Sequence, residues 1–303
     1  MRGNRGFALV LVLVVTALMV AVTTELIHQV YVDTSLSRGF RDGQQASLLA
    51  ESGVTAGAKY LKWSFSGDTT SLADPLKQED ETGTIEIRMI EESGKLNLNL
   101  LVTADGNFNQ KTYNALLRLG KRLEIPEDVW SALADWLDSN DDQRSGGAET
   151  PYYQTLKPPY RARNGKMATL AELSLVKGFT PEILARLKPF VTVYSEQTST
   201  MITSQQININ TAPLEVLTAL SDSIDDAMAS RIVAERQRNP FKNTDNVSRL
   251  SGGAAIAQEL TGVLTYKGAI FRITSISKVK DSARTVDAVV RLADEKILSW
   301  QEY

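Results

Sequence analysis

The chain has 303 residues, 23% of them charged, and a formal net charge of −3. It is long enough for about two or three small domains and has no general attraction for nucleic acid or anionic membranes. It contains no cysteine, which excludes disulfides, thiolate metal sites and thiol nucleophiles. Its one histidine, His28, borders the apolar N-terminal segment, so a histidine-based catalytic triad in a water-exposed domain has no base. We therefore expect that the protein is not an enzyme.

The N-terminal residues form a short basic segment followed by an apolar run of membrane length. Arg2 and Arg5 precede residues 7–24, which carry no charge and span about 27 Å as a helix, close to the hydrocarbon thickness of a bilayer. Because the arginines come first, we expect the N-terminus in the cytoplasm and the C-terminal part on the far side of a single-pass helix. The helical pattern continues over 44–63 without the cleavage site of an ordinary signal peptide, so we predict one helix over 7–63.

Beyond this helix, strand patterns bracket a mainly helical middle. Alternating residues at 84–89 and 95–100 predict one β-hairpin, and those at 271–278 and 285–292 predict a second. Helical spacing predicts helices at 113–123, 126–137, 169–178, 181–187, 211–220 and 223–237. The predicted fold class is α+β, with a sheet packed on the exposed half of the long helix and a large helical insertion between its strands.

An acidic loop rich in glycine runs from Asp138 to Glu149. Asp138, Asn140 and Asp142 stand at alternate positions, and Glu149 follows eleven residues after Asp138. This spacing matches the liganding positions of a calcium loop, where hard oxygen atoms surround a hard cation. Gln143 stands where an EF-hand requires glycine, and the segment after the loop is rich in proline. The loop is therefore not an EF-hand.

We predict that this loop holds one or two structural Ca²⁺ ions. The proposed ligands are Asp138, Asn140, Asp142 and Glu149, with Asp135 as a possible further ligand. The ion would neutralise the converging carboxylates and fix a long loop with little apolar content of its own. The competing interpretation is a solvated acidic loop with local turns in which Asp and Asn side chains bind the backbone.

Residues 207–241 resemble the helix-hairpin-helix and sterile-alpha-motif-like (SAM-like) units of DNA-binding proteins. In such hairpins a glycine-containing turn brings backbone N–H groups to a phosphate at a helix N-terminus. Here the turn has no glycine and carries Asp222, Asp225 and Asp226, whose charge opposes phosphate binding. We interpret the hairpin as a packing module and expect no nucleic-acid partner. DNA binding remains the alternative, which a salt-dependent gel shift would decide.

The N-terminus resembles the class III leader of type IV prepilins in Arg5-Gly6-Phe7, the apolar run and the AESG sequence at 50–53. This resemblance implies that a prepilin peptidase cleaves after Gly6 and methylates the amine of Phe7. Pilin-like subunits usually carry glutamate at the fifth mature position, which is Leu11 here. That buried carboxylate would neutralise the amine of the subunit above, so a subunit with leucine can stand at the tip of a filament. The competing interpretation is an anchor without a role in a filament.

Over essentially the whole chain, the sequence resembles the general secretion pathway protein K family, the large minor pseudopilins of type II secretion. The resemblance rests on the leader, the ADWLD…GAE…YY block at 134–153, the MATLAELSLVKG segment at 167–178 and ININTAP at 207–213. It implies a pilin-like fold, in which a long N-terminal transmembrane helix packs on an antiparallel sheet with a large, mainly helical inserted domain containing SAM-like units. It also implies calcium in the acidic loop.

The same resemblance implies a location and partners. The subunit would sit in the bacterial inner membrane, with its C-terminal domain in the periplasm. It would form a tip complex with other minor pseudopilins, meet the major pseudopilin, initiate pseudopilus assembly and assist secretion across the outer membrane.

We expect six segments along the chain. They are the leader (1–6), the transmembrane and spine helix (7–63), the first pilin-like part (64–104), the helical insertion with the acidic loop (105–200), the helix-hairpin-helix or SAM-like unit (201–262) and the second pilin-like part (263–303). The alternatives are a minor pilin of a type IV pilus or DNA-uptake machine and a membrane-anchored helix-hairpin-helix DNA-binding protein. An enzyme that cleaves glycans with a carboxylate pair comes third.

Overall fold

The computed structural model describes residues 4–65, 75–80, 83–195 and 205–303. Residues 1–3 of the predicted leader, residues 66–74 of the first predicted pilin-like part and the predicted boundary at 200 lie outside these ranges. The elements in chain order are α1 (Asn4–Phe65), β1 (Leu76–Asp80), β2 (Gly83–Glu91), β3 (Leu96–Asn97), α2 (Gln110–Arg122), α3 (Asp128–Leu137), α4 (Thr150–Gln154), α5 (Pro181–Leu187), β4 (Val191–Thr192), β5 (Ile207–Asn208), α6 (Leu214–Leu220), α7 (Asp226–Arg238), α8 (Thr244–Ser248), α9 (Gly253–Glu259), β6 (Leu264–Thr265), β7 (Ile270–Val279), β8 (Ser282–Arg291) and β9 (Lys296–Glu302). Short 3-10 helices occupy Leu98–Leu100 and Leu170–Leu175.

Helix α1 is exposed in its first half and packed in its second. Every side chain from Phe7 to Arg41 is exposed, and among the described residues α1 is the one helix long and apolar enough to cross a membrane. Burial begins at Asp42, whose carboxylate lies 3.0 Å from the Lys280 ammonium in the turn between β7 and β8. The exposed stretch from Glu25 to Arg41 is about 25 Å long at the helical rise.

An antiparallel sheet forms from strands at both ends of the helical middle. Its strand order in the described part of the chain is β1-β2-β7-β8-β9. The predicted hairpin at 271–278 and 285–292 is confirmed as β7 and β8, which pair from Ile270 with Arg291 to Val279 with Ser282. Strand β2 pairs with β7. The helices between β2 and β7 are therefore an insertion within the sheet.

The predicted hairpin at 84–89 and 95–100 is wrong. Residues 84–89 lie in β2, whose hairpin partner is β1, whereas β3 pairs in parallel with β4. The alternation in KLNLNL arises from two buried amides rather than from an exposed strand face. Asn97 donates from Nδ2 to a backbone carbonyl just after β4 at 2.9 Å, and Asn99 donates to another at 2.8 Å. A buried amide with its hydrogen bonds satisfied is as compatible with the core as an apolar side chain.

Small residues let α1 approach the sheet closely. Ala50 is fully buried against it. A Cβ atom on Gly53 would lie 2.1 Å from the Ser275 Oγ and 2.6 Å from the Ile85 Cδ1, and one on Gly57 would also be crowded. Because no real Cβ tolerates such distances, glycine is required where the helix crosses β2 and β7.

The inserted helices have a core of their own. Trp130, Leu133, Tyr153 and Phe241 are fully or almost fully buried in it. This core includes Val289 of β8, so the insertion packs on the sheet face opposite to α1. The sheet is thus covered by the spine helix on one face and partly by the insertion on the other.

Glu91, at the end of β2, is buried where the sheet meets β5, at the start of the unit that contains α6 and α7. Its Oε1 accepts a hydrogen bond of 2.7 Å from Asn208 Nδ2, and a Cβ on Gly268 would lie only 2.3 Å from its carboxyl carbon. Burial raises the pKa of Glu91 to about 7, against the opposing effect of the Asn208 amide and of the nearby Thr211 and Ser93 hydroxyls. The junction therefore favours the protonated carboxyl group.

We predict that Glu91→Gln removes a pH dependence of stability. The folded-state pKa of Glu91 exceeds its ordinary value of 4.5, so its contribution is fully present at acid pH and is lost as pH rises to about 7. The variant should raise the free energy of unfolding at pH 8 by at most about 3 kcal/mol and change it little at pH 4.5. Denaturant unfolding of the full chain in detergent measures both. The exposed Glu79→Gln is the matched control, and a variant that keeps the wild-type decline would contradict the prediction.

Candidate metal centre

Three buried carboxylates converge beyond the end of α3. Asp135 lies in the last turn of α3, Asp138 caps its C-terminus and Glu149 directly precedes α4. Their exposed fractions are 0%, 3% and 2%. One oxygen of each carboxylate lies within 4.8 Å of the others. Buried like charges at this separation are costly, and oxygen-only ligands of this kind suit a hard divalent cation.

The surrounding core fixes these carboxylates in place. Trp136 of α3 packs edge-on against Tyr153 of α4, with 5.1 Å between the ring centroids, and thereby joins the two ends of the loop. Gly147 passes so near Asp135 that a Cβ would lie 2.0 Å from its Oδ2. The negative end of the α3 dipole adds to the cost of carboxylates here. The fold therefore holds negative charge where the helix disfavours it.

Glu149 is the least compensated of the three. Neither of its carboxylate oxygens has a hydrogen-bond partner among the described residues. Burial, followed by the charges of Asp135, Asp138 and Asp141, raises the pKa of Glu149 to about 7. A buried carboxylate without partners, aimed at two others, is the arrangement that a bound cation would satisfy. The residues present thus fit a metal ion.

Asp135 and Asp138 share Arg144 as a counter-ion. The Arg144 Nη1 donates to Asp135 Oδ1 at 2.7 Å and to Asp138 Oδ2 at 2.5 Å. Burial nevertheless raises the pKa of Asp135, because desolvation outweighs the opposing effect of Arg144. One arginine cannot balance three ionised carboxylates. An excess of negative charge therefore remains, which a bound divalent cation would offset.

The structure brings only part of the predicted ligand set together. Asp135, Asp138 and Glu149 meet, whereas Asp142 is exposed and lies outside the cluster. Its backbone N–H donates to Asn140 Oδ1 at 2.7 Å, and the Asn140 N–H donates to Asp138 Oδ1 at 3.2 Å. Asp142 is therefore directed toward solvent, whereas Asn140 is half-buried and its side chain bonds the loop backbone. Asp135 converges because it lies one helical turn before Asp138.

Residues that the spacing argument missed also shape the site. Besides Arg144 and Gly147, Lys177 donates from Nζ to the carbonyls of Gly146 and Gly147 at 3.2 and 3.0 Å. Its ammonium also lies 5.2 Å from the centre of the Tyr152 ring. Arg144 had a sequence signal, since it is the one basic residue within the acidic loop. Lys177 had none, because only the tertiary fold brings it to the loop.

The acidic turn between α6 and α7 faces α2. Arg118 Nη1 lies 3.1 Å from Asp222, and Arg122 Nη1 lies 2.7 Å from Asp226. Arg118 also donates to two backbone carbonyls at the C-terminal end of α6. Asp222 and Asp226 therefore contact α2. This agrees with the interpretation of the hairpin as a packing module.

The predicted processing residues lie in the exposed first half of α1. Phe7 and Leu11 are 72% and 54% exposed, and Gly6 precedes them in the same helix. The geometry of a helix does not reveal cleavage or methylation. Both therefore stay predictions.

Comparison with protein families gives two matches. Family models described as type II secretion system protein K match residues 94–196 and 207–266. These ranges contain the carboxylate cluster and the acidic hairpin.

Individual proteins show the same similarity. Type II secretion system protein K of Pseudomonas aeruginosa is 29% identical over 265 residues, covering 82% of this chain and 77% of that protein. The Aeromonas hydrophila protein of the same name is 26% identical over 326 residues, covering 98% of this chain and 96% of that protein. A crystal structure of the GspK-GspI-GspJ complex from the enterotoxigenic Escherichia coli type 2 secretion system contains a similar chain. The TM-score is 0.72 at 22% identity, over 88% of this chain and 99% of that one, which establishes likeness of fold.

We predict opposite effects of Glu149→Gln with and without a divalent cation. In chelator the raised pKa means that the ionised carboxylate destabilises the folded state above about pH 7, so the variant should melt a few degrees higher at pH 8. With the cation present, the variant should lose the gain in melting temperature that the wild type shows. Thermal melts of the full chain in detergent at pH 8 measure both, with exposed Glu182→Gln as the control. Equal cation-dependent gains in the two variants would contradict the prediction.

Proposed function

The chain belongs to the protein K family of type II secretion systems, and on that premise we propose that this minor pseudopilin stands at the tip of the pseudopilus. There it initiates assembly with other minor pseudopilins and assists protein secretion across the outer membrane. The observation that carries the proposal is helix α1, whose first half is apolar and exposed while its second half is packed on the sheet. Such a helix holds the subunit in a bilayer and offers a surface to sibling helices.

Leu11 supports the tip position. Residues 7–24 of α1 carry no carboxylate, so this stretch cannot neutralise the terminal amine of a subunit stacked above it. The bulky head adds a second obstacle to stacking, because the insertion between β2 and β7 enlarges it well beyond the sheet. A subunit with both features begins a filament rather than extending it.

The proposed partners follow from the related complex. That crystal structure contains GspK together with GspI and GspJ. We propose that the corresponding small minor pseudopilins bind this chain and that the major pseudopilin follows them in the filament. The prepilin peptidase would cleave after Gly6 and methylate Phe7.

The arginines before the apolar run support an inner-membrane subunit with a cytoplasmic N-terminus and a periplasmic head. Arg2 and Arg5 lie on one side of the run, and the folded part of the chain lies on the other.

Calcium is the cation that we propose for the carboxylate cluster. The donor set is carboxylate oxygen throughout, and a long loop joins Asp138 to Glu149. Such a set suits the flexible coordination of Ca²⁺ better than the strict octahedron of Mg²⁺. Asp135, Asp138 and Glu149 would hold the ion. When bound, the ion would supply the missing positive charge and thereby fix the loop.

We predict that Leu11→Glu impairs secretion. The new carboxylate would have no partner amine at the tip, and an unpaired acidic group inside a membrane helix costs about 3 kcal/mol. Secretion assays with the chromosomal variant, together with localisation of the subunit by crosslinking, measure the effect. Leu11→Gln is the control, because it adds polarity of similar size without charge. Unchanged secretion and unchanged position in the filament would count against the tip role.

We predict that the full chain in detergent binds Ca²⁺. Calorimetric titration should give heat, and Ca²⁺ at 100 times its dissociation constant should stabilise the fold by about 2.7 kcal/mol relative to chelator. Asp138→Asn should reduce both effects, whereas Asp281→Asn, in the exposed turn after β7, should change neither. Absence of heat together with an unchanged melting temperature would end the calcium proposal.

A further inference from the structure

The side chain of Arg144 occupies the position of a cation in the carboxylate cluster. Its Nη1 bridges Asp135 and Asp138, and its side chain is only 19% exposed. It also donates to the Gly106 carbonyl and lies 5.0 Å over the Phe108 ring. Arg144 therefore joins the acidic loop to the segment before α2.

Arg144 holds one oxygen of each aspartate in the cluster. Asp135 Oδ2 accepts from the Arg144 backbone N–H at 3.2 Å, and Asp138 Oδ1 accepts from the Asn140 backbone N–H at 3.2 Å. The same Arg144 N–H also lies 3.4 Å from Asp135 Oδ1, so the loop backbone bonds both oxygens of Asp135 and one of Asp138. The guanidinium bonds Asp135 Oδ1 and Asp138 Oδ2. A cation that reaches Glu149 and these two oxygens must compete with Arg144.

We propose that Arg144 is a built-in counter-ion that Ca²⁺ displaces, and that this exchange sets the calcium affinity of the site. The inference rests on the proposed calcium site and concerns its regulation. Without calcium, Arg144 stabilises two of the three buried carboxylates and leaves Glu149 without a partner. With calcium, the ion gathers all three.

The displaced guanidinium can keep two of its present contacts. Its contacts with the Gly106 carbonyl and the Phe108 ring involve no carboxylate, so the guanidinium can keep them when it leaves the aspartates. A planar guanidinium is well suited to such a ring contact. Exchange therefore requires a side-chain rotation and not a rearrangement of α3.

The test compares the full chain in detergent with Arg144→Gln and with Arg144→Lys. Arg186→Gln is the matched control: it makes the same charge change in α5, where Arg186 lies 3.8 Å from the exposed Glu124. Calorimetric titration with CaCl₂ gives the affinity, and thermal melts in chelator and in calcium give the stability of each state. If Ca²⁺ displaces Arg144, Arg144→Gln should bind Ca²⁺ at least about tenfold tighter than the wild type and should melt at a lower temperature in chelator. Arg186→Gln should match the wild type in both measurements. Arg144→Lys should fall between them, because an ammonium keeps the charge but cannot bridge two carboxylates in the same way.

The outcomes separate this inference from the calcium proposal. If the wild type binds Ca²⁺ and Arg144→Gln binds it equally or more weakly, the exchange is refuted while the calcium site stands. If only Arg144→Gln binds Ca²⁺, Arg144 blocks the site and the calcium proposal for the wild type falls. If neither binds, both ideas fall. Should Arg144→Gln fail to fold in chelator, calcium must restore it, and failure of that rescue overturns the inference.

Discussion

The close packing of α1 on the sheet is the constraint on which the rest of the structure depends. Gly53 puts helix backbone almost against Ser275, and Ala50 is fully buried in the same seam. This seam joins the apolar, exposed part of α1 to the folded head. The sheet can then accept a large insertion, because β2 and β7 are held by α1 on one face regardless of what is built between them. Larger residues in the seam would separate the helix from the sheet and expose the core shared by both.

Long, local patterns were the part of the fold that the sequence could predict. The apolar spine, the β7–β8 hairpin and most of the inserted helices depend on periodicity within one segment. The hairpin at 84–89 and 95–100 failed because its second half is not a strand facing solvent. Asn97 and Asn99 are buried and hydrogen-bonded to backbone near β4, about ninety residues away in sequence. Alternation cannot distinguish a polar residue facing water from a polar residue satisfied in the core.

The candidate metal site, like the fold, was predictable from the sequence only in part. Spacing in the acidic loop predicted Asp138 and Glu149 as ligands, with Asp135 as a possible further one, and the structure brings these three carboxylates together. The spacing could not show that Asp142 is exposed and that Asn140 bonds the loop backbone, since both depend on the course of the loop between α3 and α4. Nor could it find Lys177, whose approach depends on how a distant turn packs. Chemistry that is local in sequence was predictable, whereas the electrostatic balance of the site was not, because it is set by residues that meet only after folding.

The exposed stretch of α1 from Glu25 to Arg41 forms a stalk between the charge-free run and the head. It separates the charge-free run from the first contact of the head at Asp42 by about 25 Å. Gly39 lies near the end of this stretch that meets the head, and a Cβ atom on it would have no neighbour within 4 Å. A hinge of only 10° there would move the far end of the stalk sideways by about 4 Å, without disturbing the packed half of the helix. A change of angle between the charge-free run and the head would therefore leave the core of the head intact.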